Sequence, residues 1–119
     1  RSEEEALLSA CKASRASLLA PAAILALETA MRLGELLALE WRHVDLRSRV
    51  ATLVDTKNGD SRQVPLSTKA AETIRQLPRN LGSPRLFWTW ARTDSFEHAW
   101  ARAVAAAGIE DLRFHDLRH

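Results

Sequence analysis

Apolar positions follow a helical period through the early part of the chain and switch to a period of two near its middle. Ser2-Glu3-Glu4-Glu5 has the form of a capping box, with Ser2 as the N-cap and Glu5 reaching back. That start predicts a helix to about Ser17 that buries Leu7, Leu8, Ala10 and Cys11. Pro21 suits the first position of a second helix, rich in Ala and Leu, that runs to about Ala30. A third, short helix is expected over Gly34 to Leu39, with Leu33, Leu36, Leu37 and Trp41 turned inward. Arg32 then falls at the joint between two helices.

Val50, Thr52 and Val54 alternate with Ala51 and Leu53, which is strand spacing. Arg62 to Leu66 predicts a second strand that ends at Pro65. Between them lies Lys57-Asn58-Gly59-Asp60, and Asn-Gly is a strong hairpin signal because both residues tolerate positive φ. Lys57 is thereby expected at a hairpin tip. Ser67 is placed to cap a helix that reaches about Leu77, before Pro78. Leu86-Phe87-Trp88 predicts a buried extended piece. Thr93 or Asp94 should cap a last full helix that Gly108 stops after about Ala107. Trp88, Trp90 and Trp100 are expected in the core or at its edge. The fold class is therefore α+β, mostly helical, with a small antiparallel hairpin or three-stranded sheet packed on one side.

Composition narrows the class without naming a function. A length of 119 residues allows one domain, and 46% hydrophobic residues suffice for a core. Cys11 is the only cysteine, so an internal disulfide and a cysteine-based zinc site are both excluded. Glu3, Glu4 and Glu5 stand where a signal peptide would be cationic, and the default expectation is a cytoplasmic protein. The net charge of +2 does not announce a nucleic-acid partner. Arginine far outnumbers lysine, however, and Arg42, Arg47, Arg49, Lys57 and Arg62 cluster mid-chain. A guanidinium fork suits phosphate oxygens, although a solvated basic surface would look the same in composition.

Four segments carry candidate chemistry in a fixed order. They are Thr29 to Trp41 (TAMRLGELLALEW), Lys57 in its hairpin, Val64-Pro65-Leu66-Ser67, and Phe114-His115-Asp116-Leu117-Arg118-His119. Together they resemble the tyrosine recombinase (phage integrase) family. That family has a first catalytic Arg in a T-G-x-R-x-x-E-L-x-x-L-x-W box, a Lys on a β-hairpin and then an H-x-L-R-H box. The resemblance covers essentially the whole chain, and the ordered set is far more specific than any one box. It implies that Arg32, Lys57, His115 and Arg118 are catalytic and bind the DNA phosphate, with Glu35 and His119 in supporting roles. The family often has glycine where this chain has Ala30, and an ordinary helical conformation is expected there.

The resemblance further implies a parent enzyme that cleaves and rejoins DNA strands at specific sites through a 3′-phosphotyrosyl intermediate. No metal or other cofactor is called for, because arginines supply the positive charge. The implied partners are double-stranded DNA and further copies of the parent protein, four on DNA, with the bare fragment a monomer or weakly self-associating. The chain contains no tyrosine. It is accordingly expected to be the front and central portion of a catalytic domain, residues 1–119, unable to cleave DNA alone and without the family's separate DNA-clamping domain.

Each residue taken singly has a plainer explanation. Arg32 suits a helix-end arginine paired with Glu35 or Glu28, Lys57 a solvated turn lysine, His115 a structural histidine and Arg118 a surface cation. Two rival functions stay open at this point. One is a DNA-binding module derived from a recombinase that holds DNA without cutting it. The other is a small zinc hydrolase built on His115 and His119, which stand four apart with an echo of H-E-x-x-H.

Overall fold

The structure, a computed structural model, describes residues 2–55, 59–109 and 114. Lys57, His115, Arg118 and His119 lie outside the described residues. Among the described residues the order is α1 (Ser2–Ala13), α2 (Leu19–Thr29), α3 (Leu33–Ala38), a short 3-10 turn (Trp41–His43), β1 (Val44–Asp45), β2 (Val50–Asp55), β3 (Asp60–Pro65), α4 (Thr68–Arg75) and α5 (Thr93–Ala106). The mostly helical α+β class and the three-stranded antiparallel alternative both hold, with strand order β1-β2-β3.

The second helix is the centre of the core because its small and branched residues are apolar all round. Leu19, Ala22, Ala23, Leu25 and Ala26 are fully buried, and α2 packs against α1, α3 and α4. Pro21 is its third residue, where a missing N–H costs nothing because the first turn has no internal acceptors. Helix α1 stops at Ala13 rather than Ser17, and the Ser14 hydroxyl accepts from the Ala16 amide in the turn that follows. Ser67 caps α4 as its sequence position suggests, its Oγ accepting from Ala70 N at 3.1 Å. Helix α5 ends on Gly108 at φ +73°, with Ile109 N donating to Val104 O and Gly108 N to Ala105 O. These are the two bonds of a Schellman stop, and the positive φ explains the glycine. No helix among the described residues is long and apolar enough to cross a membrane.

Three further expectations need correction. Ala30 is not helical: it closes α2 at φ 59°, ψ 21°, in the left-handed region. Its amide still donates to Ala26 O, while the Thr29 hydroxyl donates to Leu25 O and accepts from Met31 N. The chain must turn sharply there to bury Met31 completely, and alanine bears the strain that a glycine would avoid. Leu86-Phe87-Trp88 forms turns rather than an extended piece, with Leu86 and Phe87 buried and Trp88 half-buried. Its anchor is Arg85, bridged to Glu40, with Leu86 N donating to Leu39 O. The last helix is also entered differently, from Arg92 and without a side-chain cap.

Aromatic packing ties the end of the described chain to α5. Phe114 meets Phe96 and Trp100 edge-on, at centroid distances of 4.8 and 5.1 Å. Trp90 likewise meets Phe96 edge-on, and Trp90 and Trp100 are buried as expected. Trp41 is half-buried beside α3, with the Arg79 guanidinium stacked 4.1 Å above its ring.

Candidate active site

The left-handed turn at Ala30 and the buried Met31 deliver Arg32 to the N-terminus of α3 in an extended conformation. Glu35 then fixes that start. Its Oε1 accepts from Arg32 N at 2.8 Å, which satisfies one of the amides that a helix start leaves free. Glu35 is also gripped from the sheet: Arg62 Nη1 donates to Oε2 at 3.1 Å and Nη2 to Oε1 at 3.2 Å. One carboxylate thus serves the backbone of Arg32 and the side chain of Arg62 together.

These residues line an open cleft of about 700 Å³ between α3 and the β2–β3 hairpin. Arg32, Glu35 and His43 stand on one side, and Thr52, Val54, Asp60 and Arg62 on the other. Neither suggested partner of Arg32 is available to its guanidinium in the expected way. Glu35 is committed to Arg62 and to the backbone, and Glu28 Oε1 accepts from the Ser67 hydroxyl at 2.5 Å. Among the described residues no hydrogen bond or ion pair engages the Arg32 guanidinium. The mid-chain arginines differ: Arg42 pairs with Glu40 at 2.7 Å, and Arg49 donates to the Thr68 hydroxyl at 2.7 Å. Arg42, Arg49 and Arg62 of the cluster are therefore engaged, whereas among the described residues neither Arg32 nor Arg47 has a hydrogen-bond or ion-pair partner for its guanidinium.

Lys57 lies in the connection between the last paired residues of the hairpin, Asp55 and Asp60. Gly59 in that connection has φ +70°, as the Asn-Gly signal requires. His115 follows directly on Phe114, whose ring is held against α5. The convergence of His115 and Arg118 with Arg32 lies outside the described residues, as do both histidines of the zinc alternative. His43 and Arg62 are among the cleft residues that were not singled out as site residues from sequence. His43 carried no usable signal, and Arg62 stood only within a basic cluster. The Arg62–Glu35 contact spans 27 positions, and no local pattern reveals a pairing at that separation.

Helices around a small antiparallel sheet, with an arginine cleft beside a hairpin, make the fold of a tyrosine recombinase catalytic domain. The chain is similar to the catalytic domain of bacteriophage HP1 integrase, at a TM-score of 0.71 and 31% identity over 98% of this chain and 64% of that one. It also shares its fold with XerA recombinase, at a TM-score of 0.75, 22% identity and 98% and 46% coverage. The chain belongs to the phage integrase family, whose model matches residues 1–119. Among curated relatives it is 53% identical over 95 residues to the shufflon-specific DNA recombinase of Escherichia coli, spanning 80% of this chain and 24% of that protein. It is 30% identical to the integrase of Salmonella phage P22 over 79% of this chain and 28% of the relative. The chain thus spans about a quarter of the length of these relatives.

Proposed function

We propose that residues 1–119 form the front and central part of the catalytic domain of a longer tyrosine recombinase, bacterial or phage-encoded and cytoplasmic. That enzyme cleaves and rejoins duplex DNA, working as four copies on its DNA. The observation that carries this is Arg32: a strained turn and a capping carboxylate hold it at the mouth of a cleft, with its guanidinium unengaged among the described residues. A cation that no carboxylate among the described residues neutralises is suited to a phosphate.

In the proposed reaction a tyrosine beyond His119 attacks the scissile phosphorus through its phenol oxygen. The bond from phosphorus to the 5′-oxygen breaks as the phosphotyrosyl bond forms. Arg32 and Arg118 hold the non-bridging oxygens, where negative charge accumulates. His115 donates to the same phosphate or manages the tyrosine proton. Lys57 gives a proton to the departing 5′-oxygen. Glu35 supports Arg32 through its backbone, and His119 hydrogen-bonds or packs internally. The reverse sequence, with a new 5′-hydroxyl as nucleophile, rejoins the strand.

The test is covalent capture. Incubated with a nicked duplex that traps the intermediate, the full-length protein should yield protein-linked DNA on a denaturing gel. Arg32→Ala should lower that yield by about a hundredfold or more, and the 119-residue chain alone, which has no tyrosine, should give none. DNA binding by the full-length protein without any adduct would favour a non-catalytic DNA-binding module instead.

A further inference from the structure

The β2–β3 hairpin is unevenly supported. Strand β1 pairs only with its base, Val44 with Ala51 and Asp45 with Val50. Beyond Thr52 the hairpin continues as two strands alone, through Val54↔Ser61 to Asp55↔Asp60. A two-stranded ribbon is marginal in water, and of these outer residues Leu53 is buried in the core while Val54 and Arg62 are exposed. Arg62 sits in this outer half, paired across the ladder with Leu53, and its two bonds to Glu35 fasten the ribbon to the start of α3.

The energy of that contact indicates what it does. Arg62 and Glu35 are 54% and 25% exposed, and an ion pair so open to water contributes only about 0–1 kcal/mol to folding. Its geometry is better defined than its energy is large. The guanidinium fork meets both carboxylate oxygens, and the same carboxylate holds the amide of Arg32. Arg62 is five positions beyond Lys57 on the same hairpin.

We propose that Arg62 is a positioning residue: by clasping Glu35 it fixes the hairpin bearing Lys57 relative to the helix start bearing Arg32. The proton donor and the phosphate clamp are thereby held in one frame. This rests on the proton-donor role proposed for Lys57. Proton transfer needs hydrogen-bond reach, and a misplacement of about 1 Å can lower a rate by roughly a hundredfold.

The experiment compares two scissile linkages in the full-length recombinase, an ordinary 5′-oxygen and a bridging 5′-sulfur. A thiolate leaves without a proton, since a thiol ionises near pH 8.5, so the sulfur substrate does not need Lys57. Lys57→Ala sets the reference pattern, a large loss on oxygen and little on sulfur. Arg62→Ala should show the same selective pattern, losing about tenfold to a hundredfold on oxygen while the sulfur rate stays near that of the unmodified protein. Arg62→Lys should recover part of the oxygen rate, and both variants should melt close to the parent. Equal losses on the two substrates, or no loss on oxygen, would overturn the positioning role while leaving Lys57 as donor. If Lys57→Ala itself loses equally on both, the donor assignment fails and the Arg62 role falls with it.

Discussion

Ala30 occupies a backbone conformation, φ 59° and ψ 21°, that disfavours a side chain. A Cβ in the left-handed region costs roughly 1–2 kcal/mol. Replacing Ala30 with glycine removes that cost but gives the unfolded chain more freedom, which takes back about 0.4–1 kcal/mol. Ala30 is exposed, so no core contact is lost with its methyl group. The balance predicts that Ala30→Gly stabilises the chain by roughly 0.5–1 kcal/mol, a rise in melting temperature of about 2–4 °C. Urea denaturation provides the measurement, with Ala101→Gly as the matched control. Ala101 is exposed inside α5, where the same substitution should destabilise by about 1 kcal/mol. Opposite signs at the two positions are expected. Equal destabilisation at both would mean that Ala30 is an ordinary helical residue, and the strained turn that aims Arg32 would be refuted.

Burial pushes the Cys11 thiol up to about 11, so its contribution to stability is full below the unfolded thiol value of about 8.5 and is lost as pH rises from there. A thiol reagent at pH 8 should therefore label Cys11 only through opening of the fold, and labelling as fast as free cysteine would contradict its burial. Phe114→Ala removes two edge-on aromatic contacts and should cost about 3–5 kcal/mol in chemical denaturation; a loss below about 1 kcal/mol would detach Phe114 from the core. The chain should bind duplex DNA weakly and without sequence preference, with affinity falling as salt rises. Arg32→Ala should weaken that binding and lower the salt slope by about 1, whereas replacement of His98, exposed on α5, should change neither.

Much of this architecture was legible because the controlling signals are local. Ser67 announces the start of α4, Gly108 the end of α5, and Asn58-Gly59 the hairpin, since each acts within a few residues. Strand β1 was not legible, because two residues are too few to show a period. Its turn depends on Asp45, whose Oδ1 accepts from the amides of Ser48 and Arg47 and whose carboxyl is thereby held below the usual aspartate value. The strain at Ala30 was hidden for a different reason. Alanine gives no sign of left-handed backbone, and only the demand to bury Met31 and restart the chain at Arg32 imposes it. In the site, Arg32 and Glu35 were indicated by the resemblance of Thr29 to Trp41 to the family's arginine box. Arg62 required the fold, because hairpin and helix meet only in three dimensions.

The most direct test is a structure of the full-length protein on duplex DNA. The guanidinium groups of Arg32 and Arg118 and the ring of His115 should lie within about 3 Å of non-bridging oxygens of a single phosphate. Lys57 should reach the 5′-oxygen of the same phosphate. A structure with Arg32 on the face opposite His115, or with that phosphate bound by neither arginine, would contradict the proposed active site.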